Sequence, residues 1–266
     1  MLKNITIGQY FPGDTVIHKL DPRIKISITL LFIISLFFID SFTPYLFVTA
    51  FIFISIFLSK VPLKFILKGL KPLFIIILIT FFINALLTPG EVLYKLGPLK
   101  ITIEGLRQAT FMALRLVFLI IGTSLLTLTT SPISLTDGIE KLLNPFRKVG
   151  LPAHELAMMM TIALRFIPTL LEETDKIMKA QMARGADFES GNIMNRAKSL
   201  VPLLVPLFIS AFRRADELAM AMEARCYRGG ENRTRMKVLT LEMRDFFAMS
   251  ISILLLVTII LFRYVI

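Results

Sequence analysis

Five stretches without a single Asp, Glu, Lys or Arg dominate this chain: Ile26–Ile39, Ser41–Ser59, Pro72–Gly90, Leu116–Thr136 and Phe246–Phe262. A helix that crosses a bilayer needs about 20 mostly apolar residues. Inside hydrocarbon a single segment can satisfy its own backbone only as a helix. The runs therefore predict an all-α polytopic membrane protein with about five transmembrane helices. The first run is short, but Arg23 and Lys25 can snorkel and lengthen it. Asp40, Ser41 and Pro44 mark a tight turn after it. A sixth run, Ser199–Phe212, holds Pro202 and Pro206 and reads as a buried or interfacial helix.

Composition agrees. Of 266 residues, 55% are hydrophobic and 18% charged, against about 45–50% and 25% in soluble domains. That excludes a disulfide scaffold, a disordered chain and an ordinary cytosolic enzyme. One cysteine, Cys226, and two distant histidines, His18 and His154, leave no internal disulfide and no metal cluster, so no metal ligand is expected. The net charge of +11 fits basic loops beside a membrane better than nucleic acid, for which no binding motif is present. Residues 1–23 lack an apolar core and are not read as a cleavable signal.

Orientation follows from Lys and Arg in short loops. The segment after the second span carries Lys60, Lys64, Lys68 and Lys71 and no acid. The N-terminus is thus predicted cytoplasmic and the C-terminus outside. The expected organisation is a cytoplasmic N-terminal segment (1–23), a four-span domain (24–130), a cytoplasmic segment (131–244) and a last span (245–266). Gly97-Pro98 punctuates the outer loop, which admits a short hairpin. Glu104 is expected near the start of the fourth span, where a carboxylate suits the helix dipole. Arg107 and Arg115 follow on roughly one face, Arg107 near the outer boundary and Arg115 as a partner for a neighbouring helix or a phosphate headgroup.

Ser131–Arg244 reads as helices. One starts near Ser134 with Asp137 three residues on. A second runs from Pro152 to Gly185, and a third from about Ile193 to Cys226. The two long helices each begin apolar and end charged, so the expected picture is a pair running outward from the membrane interface with charged tips. The tips are alike: Met182-Ala183-Arg184-Gly185 and Glu223-Ala224-Arg225-Cys226. In each, Arg sits between small residues that let a partner backbone approach. The guanidinium offers a planar fork of donors and suits a helix C-terminus. Met158, Met159 and Met160, with Leu203, Leu204 and Leu207, suggest an adaptable apolar interface.

Absent motifs narrow the function. There is no G-x-x-x-x-G-K-[ST] loop, so no ATP is expected to be bound by that route. No G-x-S-x-G, H-E-x-x-H or C-x-x-C occurs. A self-sufficient secondary transporter or permease, the alternative reading, would carry ionisable groups or broken helices at mid-membrane, and the runs show few. A membrane-embedded enzyme would need a constellation of His, acid or metal ligands.

Several segments, taken together and in order, carry a resemblance. They are Gly8-Gln9-Tyr10 with Pro12-Gly13-Asp14, then Leu20-Asp21-Pro22-Arg23-Ile24-Lys25. Leu164-Arg165-Phe166-Ile167-Pro168 leads to Ala180-Gln181-Met182-Ala183-Arg184-Gly185, and Ala224-Arg225-Cys226-Tyr227 follows. On these the chain resembles the transmembrane T component of energy-coupling factor (ECF) transporters, the EcfT/CbiQ family, over nearly its whole length. The resemblance implies a noncatalytic scaffold that joins two cytoplasmic ABC-type ATPases to a membrane-embedded, substrate-binding S component. It implies that Arg184 and Arg225 dock the ATPases and that apolar parts of the long helices seat the S component. ATP would be bound by the partners, with no cofactor in this chain. The cargo would be a micronutrient, a vitamin first and a transition-metal ion second.

Overall fold

The computed structural model describes residues 10–96, 99–186, 188, 193–230 and 238–265. Gly8-Gln9, Gly97-Pro98 and Gly191-Asn192 of the sequence reading lie outside them. Two compact units emerge, one of Gly8–Leu142 with Val238–Ile266 and one built on Leu143–Lys237.

In the first unit, α1 (Pro22–Phe37) and α2 (Thr43–Ser59) are followed by α3 (Leu63–Leu70), a 3-10 turn at Lys71–Leu73 and α4 (Phe74–Leu87). A two-stranded antiparallel hairpin follows, β1 (Val92–Leu96) and β2 (Leu99–Thr102), where the Gly97-Pro98 punctuation admitted one. Then come α5 (Ile103–Thr129), α6 (Pro132–Leu143) and, at the end of the chain, α9 (Met243–Val265).

The Lys60–Lys71 stretch, read from sequence as a loop, contains the helix α3. Leu63, Ile66, Leu67 and Leu70 share one face by helical spacing, and Ile66 is buried beside Val61 and Leu128. Lys64 and Lys68 fall on the opposite, exposed face. The period of 3.6 was present in the sequence, hidden among the lysines.

Helix directions alternate. The starts of α1 and α9 meet at Asp21 and Asp245, and their ends meet at Asp40 and Arg263, 3.1 Å apart. These two helices therefore run parallel. Lys25, at the start of α1, reaches the Thr129 carbonyl at the end of α5. Arg115 reaches the Ile39 carbonyl past the end of α1. So α5 runs against α1, and the chain returns to its starting end before α6. Arg107 and Arg115 serve the fold: each guanidinium also lies over a ring, Phe111 and Phe37 respectively.

The core is apolar and aromatic. Phe32, Leu36, Val48, Ile52, Phe118 and Ile259 come from four helices and are buried together. The base of the hairpin is closed by polar groups. Thr102 caps α5 by accepting from the Gly105 N–H and donates to the Thr88 carbonyl. Glu104, in the expected place, accepts from the Glu91 N–H at 2.8 Å. Among the described residues, four helical stretches are long and apolar enough to cross a membrane: Leu63–Leu87, Ile103–Thr129, Ala153–Ala183 and Met243–Tyr264, with α2 a shorter apolar helix. The third of these lies in the segment expected to be cytoplasmic and is the least apolar of the four.

The second unit holds a 3-10 turn (Asn144–Val149), α7 (Ala153–Ala183) and α8 (Ile193–Ala224). Pro168 lies inside α7, and Pro202 and Pro206 lie inside α8.

Candidate functional site: two matched helix tips

Both arginines of the repeated motif stand at helix C-caps, and the two caps are the same. In the first, the Arg184 N–H bonds the Gln181 carbonyl, the Gly185 N–H bonds Met182 and the Ala186 N–H bonds Gln181. In the second, the Arg225 N–H bonds Met222, the Cys226 N–H bonds Glu223 and the Tyr227 N–H bonds Met222. Each set is a Schellman motif, which satisfies the last carbonyls of a helix by a left-handed residue just past its cap. Gly185 has φ +88° and Cys226 has φ +56°.

The third motif position thus has a physical reason that the sequence reading missed. It was read as small to admit a partner. The structure shows it must be left-handed, which glycine takes freely and a side chain takes at some strain. Ala183, Arg184, Gly185, Ala224, Arg225 and Cys226 are all exposed. Among the described residues neither guanidinium is given an ion pair. Two cations at negative helix ends, held on rigid caps and facing solvent, can recognise carboxylates or carbonyls.

The helices that carry the tips pack antiparallel. Gln181 of α7 reaches Pro202 of α8. Glu173 accepts from Ser210 and pairs with Arg214 at 3.0 Å. The backbone at Gly230 passes so close over the His154 ring that a Cβ there would lie 2.3 Å from it. As numbers fall along α7, partners rise along α8. The expected picture was a pair running outward from the membrane interface with charged tips, whereas the two helices run in opposite directions. Arg184 and Arg225 lie at opposite ends of the pair, and each charged end lies beside the apolar start of the other helix. At about 1.5 Å per residue, α8 from Pro202 to Arg225 is roughly 35 Å long.

One contact ties a tip to a helix break. Pro206 has no N–H, so the carbonyl four residues back, Pro202, loses its helical donor. Gln181 Nε2 approaches that carbonyl at 3.4 Å. Gln181 is also the residue whose own carbonyl takes two bonds of the first cap.

The apolar residues singled out from sequence divide. Met159 (56% exposed), Met160 and Leu204 are open to solvent, Met158 and Leu207 are half-buried, and Leu203 is buried at 6%. Leu203 therefore offers little surface. The exposed stripe on α8 is larger than the sequence reading took it to be: Val201, Leu204, Val205, Phe208 and Phe212 are all exposed. Their spacing of three and four is the signal that would have found them.

The Leu20–Lys25 motif builds a clasp. Asp21 caps α1, accepting from the Arg23 N–H at 2.9 Å and pairing with its guanidinium at 2.7 Å. Burial pushes the Asp21 carboxyl up, but the side-chain and backbone hydrogen bonds from Arg23 outweigh that and hold it below its ordinary value. Asp245, 1% exposed, accepts from the Glu242 N–H with one oxygen and from the Asp21 N–H with the other, each at 2.8 Å. The first bond is half of a capping box, so a single carboxylate serves the first turns of both α1 and α9.

Comparison with known proteins agrees with these signatures. The family described as "Cobalt transport protein" matches residues 13–236. A protein of Thermosediminibacter oceani named energy-coupling factor transporter transmembrane protein EcfT is 66% identical over 99% of this chain and 100% of its own length. Its namesake in Clostridium kluyveri is 68% identical over 93% of each chain. The one in Bacillus subtilis is 52% identical over 92% of this chain and 93% of its own. The chain is therefore a member of the EcfT/CbiQ family, the noncatalytic transmembrane component of energy-coupling factor transporters.

Proposed function

We propose that the chain couples two cytoplasmic ABC-type ATPases to a substrate-binding S component in the membrane, with one ATPase held at Arg184 and the other at Arg225. The observation that carries this reading is the matched pair of caps at opposite ends of an antiparallel helix pair. Closure of an ATPase dimer on ATP then moves the two ends relative to each other. The α7–α8 pair carries that displacement to the exposed apolar stripes, Met159 and Met160 on one helix and Leu204 and its neighbours on the other, where the S component sits. ATP is bound and hydrolysed by the partners. The cargo is a vitamin. A transition-metal ion is the second reading, favoured by the description of the matching family.

In this scheme the tips and the N-terminal segment face the cytoplasm and the C-terminus lies outside. The motive is the run of four lysines from Lys60 to Lys71.

The decisive experiment is copurification and uptake with the double Arg184→Ala, Arg225→Ala variant, its membrane expression checked. Release of the ATPases and loss of uptake is expected. Wild-type ATPase binding and uptake by that variant would show the tips to be ordinary surface arginines.

A further inference from the structure

An apolar slot of about 440 Å³ opens within the first unit, walled by α1, α2, α5 and α9. Its volume falls in the range of roughly 300–1,000 Å³ usual for small-molecule sites. The shape follows from which residues line it. On α1 these include Lys25, Thr29 and Phe32, and on α9 Arg244, Ala248 and Ile251. Each set steps along one helix face by three or four residues. The slot therefore runs along the helix axes for about two turns, roughly 10 Å. In a membrane-spanning bundle that is the direction of a lipid chain.

The two ends of the slot differ. Among the described residues, Lys25 and Arg244 are the only charged side chains that line it, and both belong to the first turns of their helices. Lys25 Nζ donates to the carbonyls of His18 and Thr129, which uses two of its three N–H groups. Arg244 pairs with Glu242 through one terminal nitrogen at 2.9 Å, and its Nε is buried without a partner. The nearby acids are otherwise engaged. Asp21 holds Arg23, and Asp245 takes two backbone N–H groups. Spare cationic donors thus converge on one end of an otherwise greasy slot.

We propose that the slot is a binding site for one acyl chain of an anionic phospholipid, whose phosphate is held at the Lys25–Arg244 end. A long apolar tail satisfies the walls, and the phosphate supplies acceptors to the part-exposed guanidinium of Arg244 and to the third N–H of Lys25. A neutral amphiphile would offer these spare donors no anionic acceptor. The slot lies beside the Asp21–Asp245 clasp, so the lipid braces the junction of α1 and α9. This site is independent of the coupling role of the tips.

The test uses the full chain in phosphatidylcholine vesicles carrying acyl-chain spin-labelled phosphatidylglycerol or, separately, spin-labelled phosphatidylcholine. Wild type should show a motionally restricted component with a preference of about fivefold for phosphatidylglycerol, the scale of one basic side chain acting on an anionic lipid. Ala248→Phe, which fills the slot, should remove that component. Arg244→Gln should keep a restricted component but lose the headgroup preference. Equal restriction of the two lipids by wild type overturns the proposal, and this comparison needs no variant to fold. Unchanged restriction in Ala248→Phe also overturns it. So does a component seen with the chain alone but lost in the assembled transporter, since the slot then belongs to a partner subunit.

Discussion

Gly185 and Cys226 occupy the same place in the same cap, with φ +88° at one and +56° at the other. One position is filled by the residue that costs nothing there and the other by one that does. Cys226→Gly should therefore stabilise the chain by about 0.5–1 kcal/mol, and Gly185→Ala should destabilise it by about 1 kcal/mol or more. No atom crowds a Cβ at Gly185, so the loss would come from backbone strain alone. Thermal unfolding in detergent measures both. A Gly185→Ala variant as stable as wild type would mean the cap is not left-handed.

Single tip substitutions should separate assembly from transport. Truncating an interfacial arginine leaves its partner groups unpaired and costs about 2–5 kcal/mol. The remaining tip can still hold a complex through avidity. Arg184→Ala or Arg225→Ala should leave a reduced complex and strongly reduced uptake. Lysine should rescue poorly, because it keeps the charge and loses the planar fork. Pull-down and uptake across the four single variants check this. Arg233, the natural control substitution, lies outside the described residues, and Arg228 serves in its place.

Gln181→Ala should loosen α8 at its double-proline segment. The Pro202 carbonyl would lose its one side-chain donor, a change of about 1 kcal/mol. Hydrogen exchange should rise in the turn after Pro206 while the Arg184 cap, made by backbone alone, keeps its protection. Equal exchange in the two proteins would show the 3.4 Å contact to be incidental.

Acid should weaken the N-terminal turn. Burial is the main cause that lowers the His18 pKa below 6.5, with Lys25 adding to it, while the Phe11 carbonyl and Asp14 pull the other way. The Nε2–H donates to Phe11 and Nδ1 accepts from Thr15, which is the neutral ring. A group lowered in the folded state contributes stability that is complete above its unfolded value and lost as pH falls through the folded one. The loss therefore begins below pH 6.5 for His18 and continues at lower pH as Asp21 protonates. Melting temperature should fall between pH 7 and about pH 5, and less so in His18→Gln. A melting temperature that falls as steeply in His18→Gln would remove His18 from the account.

Orientation is open to direct measurement. Glu223→Cys in a Cys226→Ser background should resist a membrane-impermeant thiol reagent added to intact cells. Strong labelling from outside would overturn the assignment of the tips to the cytoplasm.

The sequence showed what local pattern can show. The charge-free runs placed α2, α4, α5 and α9, and caps and glycines placed α7 and α8 within a few residues. The arginines at 184 and 225 were visible because their motif repeats. What it could not show was which end of α7 meets which end of α8, since that depends on Gln181 finding Pro202 and Glu173 finding Arg214. The left-handed role of Cys226 was hidden for a related reason. Smallness suits both a close approach and a strained turn, and only backbone geometry tells them apart.

Asp245 should be costly to remove. Asp245→Ala leaves the Asp21 and Glu242 N–H groups without their acceptor, and one of these is buried. A loss of about 1–3 kcal/mol is expected, with Asp245→Asn milder because one acceptor remains. Denaturation of the purified variants tests the order. A neutral Asp245→Ala would mean that another acceptor, such as water, replaces the carboxylate.

The same bond has a consequence for how the protein is made. The Asp21 amide and the carboxylate it needs are 224 residues apart. At about 5–20 residues per second, the ribosome delivers the second roughly 10–45 s after the first. For that interval the first helix has the cap its own Asp21 side chain makes, but the Asp21 N–H lacks its carboxylate acceptor. A chain truncated before Asp245 can never complete that turn. The junction of these two helices therefore closes late, because a bond at the first of them waits for a carboxylate on the other.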